Sequence, residues 1–258
     1  MRYADHHSCN LLPDWHWICC QLVVYIVVVL LSQVAGAGTS DTSEQVDGVL
    51  SSFEHIKINL DEKYIDLEAT VVTRESDWIE LLACSPQSRE YESILATAAR
   101  PSHIHLALVM LGLEPGRPLS WLQNDSGYEI QPPEGDPVTV SLIVAEDGEQ
   151  NEKPANEWIV SQQTGQVMGD AVWLFTGSVF ATYTDGRLYK ADLTGTVISL
   201  VNFGDDLLAM PNDLMNHNDN QAWRANTPLI PPAGSAIIIR IRPLTNDEPD
   251  QQSDKPHK

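Results

Sequence analysis

The sequence predicts one α+β domain with an antiparallel or mixed sheet and one or two short buried helices, preceded by a leader. Three observations support this fold class. Segments of alternating apolar and polar residues, typical of half-buried strands, recur along the chain. Only two short segments have helical character, and the regular strand–helix alternation of a doubly wound sheet is absent. The 258 residues are 43% hydrophobic and 20% charged, a composition close to that of globular proteins.

Residues 1–37 form a predicted leader. The segment Ile18–Leu31 is an almost unbroken apolar run, and the small residues Ala35–Ala37 (AGA) follow it. An apolar core before an A-x-A pattern is typical of a secretory signal peptide, which would be cleaved after Ala37. An uncleaved membrane anchor is the alternative, although a span needs ~20 apolar residues. Both interpretations predict an extracytoplasmic domain, either secreted to the periplasm or anchored to the cytoplasmic membrane by residues 18–37.

The charge of the chain limits its partners. There are 15 Lys and Arg residues against 36 Asp and Glu residues, a net charge of −21. Removal of the leader leaves −20, so the acidity belongs to the exported part. Neutralising phosphates requires clustered cations, so we expect no nucleic-acid partner, and membrane contact only through the N-terminal segment. A cell-envelope protein or a small ligand, neutral or cationic, is the expected partner.

Cysteine usage agrees with a fold that depends on its core. Three of the four cysteines lie in the leader, which leaves Cys84 as the only cysteine of the exported part. One cysteine cannot form an internal disulfide.

Three polar segments set the predicted boundaries of the domain. Residues 38–58 begin with a small, acidic stretch and are predicted to be a linker. Residues 245–258 have no apolar side chain other than proline, which predicts a disordered acidic tail. Glu146–Asn156 is a third polar run and predicts a long surface loop. The folded domain is therefore expected to span residues 59–244.

Strand patterns dominate that domain. In Tyr64–Val72 the apolar residues occupy every second position, as in a strand with one buried face. Trp78–Cys84 is a second strand, and the charged residues between the two predict a hairpin. Gly186 follows an aspartate and indicates a hairpin turn. Further strands are predicted at Val138–Ala145, Ala171–Phe175, Ser178–Tyr183, Thr196–Val201 and Ala236–Ile241.

Two segments predict helices. His103–Leu111 is preceded by Ser102, which can accept hydrogen bonds from the first free N–H groups of a helix. Gly112 follows it and suits the left-handed position after a helix. This helix is apolar nearly all round, which predicts that it is buried. Glu90–Ala98 is a weaker second helix.

Several motifs of the domain resemble those of a known family. They include the first block from Cys84 to Arg117, with its Pro-Ser-His-Ile-His run at residues 101–105, and the later Phe-Thr-Gly-Ser run at 175–178. The same likeness continues through Tyr189–Asp192, Leu200–Phe203 and Ile230–Pro232. These motifs are similar to those of the YdjY-domain proteins, which are exported bacterial proteins without a settled activity. The resemblance covers about residues 60 to 243 and implies a location and a fold unit, not a reaction.

Five residues within this block could carry chemistry. They are Cys84, Glu90, Glu92, His103 and His105. Thiolate, imidazole and carboxylate together suit zinc, so the candidate metal set is Cys84, Glu92 and His105. A helix N-terminus disfavours a charged imidazole, and the two glutamates could form an acid/base pair.

A purely structural interpretation of the same residues is the alternative. His105 would lie at the edge of the core, Cys84 would be a buried apolar side chain, and the glutamates would pair with Arg89 and Arg100. The predicted function is therefore a non-catalytic binding or structural module of the cell envelope. The alternative function is a zinc-dependent or His/Glu-dependent hydrolase centred on His105, Glu92 and Cys84.

Overall fold

A computed structural model describes residues 49–125, 127–146, 148–184, 186–211 and 222–244. The predicted leader, the first part of the predicted linker and the predicted tail lie outside the described residues. Within the described ranges, no helix has the length and apolar character needed to cross a membrane.

Strands make up most of the regular secondary structure in the described residues. They are β1 (Val49–Phe53), β2 (Ile56–Asn59), β3 (Tyr64–Val71), β4 (Leu81–Cys84), β5 (Ser93–Thr97), β6 (Ser120–Asn124), β7 (Gly127–Gln131), β8 (Asp136–Glu146), β9 (Glu149–Pro154), β10 (Ile159–Ser161), β11 (Trp173–Phe175), β12 (Phe180–Tyr183), β13 (Gly186–Tyr189), β14 (Thr196–Ser199), β15 (Leu208–Ala209), β16 (Trp223–Ala225) and β17 (Ala236–Pro243). The helices are α1 (Pro101–Met110) and α2 (Lys190–Thr194), with single 3-10 turns at Glu90–Glu92, Ala155–Trp158 and Thr227–Leu229.

Eight of these strands close into a mixed β-barrel. The order is β3-β17-β8-β11-β15-β14-β4-β5, and β5 pairs with β3 to complete the circle. Neighbours are antiparallel except at β14–β15 and β4–β5, which are parallel. The β1–β2 hairpin extends from β3, and β9 pairs with β8. The predicted α+β class therefore describes the fold only loosely, because the molecule is mostly β and the barrel was not foreseen.

The period-2 pattern of the sequence places the core of the barrel. In β3 the side chains of Ile65, Leu67, Ala69 and Val71 are buried, and their neighbours are more exposed. In β17 the three isoleucines at 237, 239 and 241 are buried in the same way. Burying each of these isoleucine side chains stabilises the fold by about 1.5–3 kcal/mol. The predicted strands at 64–72 and 236–241 are thus confirmed.

The segment after β4 departs from the prediction. Glu90–Ala98 was expected to be helical, but only Glu90–Glu92 forms a 3-10 turn and Ser93–Thr97 is strand β5. Every residue of β5 is buried, so its sequence is a short apolar run without alternation, which a helix can imitate. Because β5 lies between β3 and β4, the predicted hairpin of residues 64–72 with 78–84 is wrong.

Two predicted irregular segments contain strands. The predicted loop at 146–156 holds β9, which forms a hairpin with β8. Its Glu152 accepts hydrogen bonds from Arg242 and Ser141, and Arg242 is the main cause that lowers the pKa of Glu152 to about 2. A polar strand is expected at a sheet edge, where one side faces water. The predicted linker likewise contains β1 and most of β2.

Helix α1 is held at its start by a residue from α2. Ser102 was predicted as the N-cap, but it lies inside the first turn and Arg100 is the N-cap. The Asp192 carboxylate accepts from the Ser102 backbone N–H and hydroxyl, both at 2.8 Å, and from Arg100 Nε at 2.7 Å. Asp192 therefore supplies the negative charge that stabilises a helix N-terminus.

The C-terminal end of α1 agrees with the prediction, but its outer face does not. Gly112 adopts a φ of +93° directly after the C-cap Leu111, as predicted. The helix is buried on one side only, because Leu106, Val109 and Met110 are 41–50% exposed. The prediction of a fully buried helix is wrong, and the exposed side leaves an apolar surface.

Candidate functional site

An open groove of about 650 Å³ crosses the outer face of the barrel over β3, β5 and β17. It forms where one edge of β3 passes from β2, which pairs with Tyr64–Leu67, to β5, which pairs with Ala69–Val71. Small side chains, Ala96, Ala98 and Ala236, contribute to its lining. Because these side chains are short, they leave a depression in the wall. Its volume lies within the ~300–1,000 Å³ typical of ligand sites.

A histidine and two carboxylates add polar groups to this groove. His55 Nδ1 lies 2.9 Å from Glu68 Oε2, and Glu90 accepts a hydrogen bond from the backbone N–H of Gln87 at 2.9 Å. Two hydrogen bonds fix the backbone of Glu68. Its N–H donates to the His55 carbonyl, and its carbonyl accepts from the Thr97 hydroxyl. The arrangement can hold a cationic or hydrogen-bond-donating group against an apolar surface.

His55 occupies an unusual backbone conformation. Its φ is +62°, in the left-handed region that non-glycine residues adopt at a cost of about 1 kcal/mol or more. The turn between β1 and β2 imposes this conformation, and the side chain is 34% exposed beside Glu68. Lys63, Gln87 and Ser178 also have a positive φ, and a two-residue hairpin turn commonly requires one.

Of the residues predicted from sequence, Glu90 lines the groove, whereas Cys84 and Glu92 are not among its lining residues. Cys84 ends β4 and is fully buried, and burial raises the pKa of its thiol. A protonated thiol is a weak ligand and nucleophile. Burial, and then the charge of Glu80, raises the pKa of Glu92, while Arg89 opposes this shift.

The two predicted histidines lie on α1 in different environments. The His103 ring stacks on Phe53 with 5.0 Å between ring centroids. His105 Nδ1 lies 3.0 Å from the Tyr189 hydroxyl, which donates to the Gly177 carbonyl at 2.8 Å. Burial lowers the pKa of His105, and the hydrogen bond with the Gly177 backbone opposes this shift. Burial, and not the helix N-terminus, is thus the cause that favours the neutral ring. This network fastens α1 to the turn at Gly177.

The structure does not bring the five candidates together. Glu90 is close enough to Cys84 to raise the pKa of its thiol, but His103 and His105 contact a separate set of residues. Among the described residues, no group of three His, Cys, Asp or Glu side chains is arranged to hold a metal ion. The set Cys84, Glu92 and His105 therefore forms no zinc site here, and the hydrolase hypothesis receives no support from the geometry.

The groove residues His55 and Glu68 were missed in the sequence. They are 13 positions apart and meet only because the β1–β2 hairpin folds onto β3. The strand pattern did indicate that Glu68 faces outward from β3. Nothing in the local sequence indicated its partner.

A comparison with protein families agrees with the motifs. The model of the YdjY domain matches residues 56–242. The chain belongs to the YdjY domain family. The match contains seven strands of the barrel in full and β17 as far as Arg242, together with all the residues that line the groove except His55. No curated protein and no solved structure shows a significant match to the YdjY chain described here.

Proposed function

We propose that this YdjY domain is a non-catalytic binding module, exported to the bacterial cell envelope, and that the groove over β3, β5 and β17 is its ligand site. The observation that carries the proposal is a ligand-sized groove in which alanines adjoin Glu68, Glu90 and His55. The predicted leader supports export.

The charges around the groove favour a cationic ligand. None of the described residues that line it is lysine or arginine, and two are glutamates. The exported part carries a net charge of −20, which raises the local concentration of cations near its surface. Small apolar side chains in the lining suit a short aliphatic segment. The expected ligand is thus a short, extended peptide-like segment with an amine or guanidinium group.

The substitution Ala98→Trp is expected to weaken this binding at least about tenfold, because the indole ring would occupy the groove and remove apolar contact worth about 1.5 kcal/mol. Ala98 is exposed, so the fold should tolerate the larger side chain. The probe is the capped peptide acetyl-Ala-Ala-Lys-Ala-amide, and binding is measured by amide chemical-shift changes in NMR titrations.

Two controls make the peptide experiment decisive. Gln163→Trp places the same ring at an exposed turn outside the groove and should leave binding unchanged. The peptide with glutamate in place of lysine should bind less tightly than the lysine peptide. Shifts that map away from the groove, or equal binding of both peptides, would contradict the proposal.

Export is tested at the N-terminus. When the full chain is produced in a bacterial host, mass spectrometry of the isolated protein is expected to find Gly38 as the first residue, because cleavage after Ala37 follows the A-x-A pattern. Recovery of the uncleaved chain in the membrane fraction would instead indicate an anchor. A protein that stays in the cytoplasm with its leader intact would refute export.

A further inference from the structure

The histidine of the groove lies between two carboxylates. His55 Nδ1 is 2.9 Å from Glu68 Oε2, and His55 Nε2 is 3.5 Å from Glu54 Oε1. A neutral imidazole has one N–H group and can donate to only one of these carboxylates, whereas an imidazolium can donate to both. The turn between β1 and β2 therefore offers the protonated ring one more hydrogen-bond acceptor than the neutral ring can use.

The backbone fixes this turn, while the side chains stay open to solvent. The His55 carbonyl accepts from the Glu68 N–H at 3.1 Å, which holds the turn against β3. The side chains of His55, Glu68 and Glu54 are 34%, 56% and 86% exposed respectively. Ion pairs with this much exposure are weak. Protons and ligands can therefore reach both members of the His55–Glu68 pair.

Glu68 is the carboxylate that His55 shares with the groove. Thr70, two residues further along the same face of β3, pairs with Ala96 and Ala236. The short side chains of that row leave room for a ligand beside Glu68. Among the described residues that line the groove, His55 is the only one that can carry a positive charge, since the lining contains no lysine or arginine.

We infer that protonation of His55 releases a cationic ligand from the groove. The inference rests on the proposed function of the groove as a site for an amine or guanidinium group. An imidazolium 2.9 Å from Glu68 neutralises the carboxylate and repels a second cation that approaches it. A neutral ring leaves the negative charge of Glu68 to the ligand. The proton and the ligand therefore oppose each other, and each lowers the affinity for the other by the same factor.

The direction of the pH effect follows from this competition. Imidazole groups change their charge between about pH 5 and pH 8, while carboxyl groups with ordinary pKa values stay ionised above about pH 5.5. Displacement of one proton by the ligand predicts an affinity that falls about tenfold between pH 7.5 and pH 5.5. Glu90, the second carboxylate of the lining, still attracts the ligand, so release is partial. The groove would give up its ligand where its surroundings turn acidic.

NMR titration of the chain isolated from an exporting host tests this inference, with acetyl-Ala-Ala-Lys-Ala-amide as the probe at pH 7.5, 6.5 and 5.5. In the wild type, the dissociation constant from the groove resonances should rise about tenfold from pH 7.5 to pH 5.5. His55→Asn removes the titrating ring, and asparagine tolerates the φ of +62° at this position. This variant should bind the peptide equally well at all three pH values.

Three further variants separate His55 from other groups that titrate in this range. His103→Gln removes a second histidine, whose ring stacks on Phe53 near the same turn but does not line the groove. Asp206→Asn removes a buried carboxyl whose pKa is raised to about 6 by burial. Both variants should keep the tenfold change. Glu68→Gln should bind the peptide weakly at every pH, because the carboxylate for which the ring and the ligand compete is gone.

Two results would overturn the inference alone. One is a peptide affinity in the wild type that does not change between pH 7.5 and pH 5.5. The other is a loss of affinity that is as large in His55→Asn as in the wild type. In both cases the peptide still binds, so the groove proposal stands. A lack of groove shifts at every pH would refute the groove proposal and this inference with it. Circular dichroism melting curves at pH 5.5 and pH 7.5 check that each variant is folded.

Discussion

Replacing Gly135 with alanine is expected to lower the free energy of unfolding by about 4 kcal/mol, or to prevent folding. Gly135 has a φ of +150°, and a Cβ atom there would lie 2.1 Å from the Phe175 carbonyl oxygen. That oxygen belongs to the backbone of β11, so no side-chain rotation can relieve the contact. Asp136, the next residue, pairs with Phe175 in the barrel. The methyl group would therefore push apart two strands of the closed wall.

A second glycine separates backbone strain from the steric clash. Gly127 has a φ of +127°, but a Cβ atom there would have no neighbour within 4 Å. Gly127→Ala is expected to cost only about 1–2 kcal/mol, the cost of the disfavoured conformation. Chemical denaturation measures both variants. Equal losses of stability in the two would show that the close approach of Gly135 to β11 is absent.

A strand could be predicted from the sequence when one of its faces is buried and the other is exposed to solvent. Strands β3 and β17 each expose one side, so their alternation was visible and their positions were predicted. Strand β5 is buried throughout and looked like a helix. Barrel closure depends on the pairing of β5 with β3, and no local pattern encodes that pairing. The class was therefore predicted only coarsely.

The β6–β7 hairpin could not be predicted because its apolar residues are exposed, whereas those of β5 are all buried. Its residues are exposed on both faces, although Trp121 and Ile130 are large and apolar. A strand whose apolar residues face solvent obeys no burial pattern, and the sequence did not predict it. This hairpin therefore departs from the burial rule that the strands of the barrel obey.

Of the five candidate site residues named from the sequence, only Glu90 lines the groove. His103 contacts Phe53, and His105 contacts Tyr189. Residue types alone cannot distinguish the ligands of a metal site from buried side chains that form hydrogen bonds with their neighbours. The distances between these side chains in the folded protein decide which of the two they are. The groove itself depends on small residues, Ala96, Ala98 and Ala236. Because alanine has no functional group, these three residues did not indicate a groove in the sequence.

The Asp206 carboxyl is expected to make the stability of the domain fall as the pH rises from 4 to 7. Burial raises the pKa of Asp206 from 3.8 to about 6, the nearby Asp205 adds to this, and the Ser199 hydroxyl opposes it. The folded state therefore holds a proton that the unfolded state has released. The stabilisation is complete below pH 4 and is lost as the pH rises through 6. It amounts to about 2 kcal/mol between pH 4 and pH 7.

Asp206→Asn should abolish this dependence without disturbing the structure. The carboxyl accepts hydrogen bonds from the Ser199 hydroxyl and from the backbone N–H groups of Phe203 and Gly204. The amide oxygen of asparagine can accept the two backbone bonds, while its NH₂ donates to the serine, which rotates to accept. Denaturation curves of wild type and variant at pH 4, 5, 6 and 7 give the difference in unfolding free energy, in which all other titrating groups cancel. This difference should shift by about 2 kcal/mol in favour of the variant as the pH rises. A constant difference would mean that Asp206 ionises in the folded protein as readily as in the unfolded chain, and that its burial is offset by its three donors.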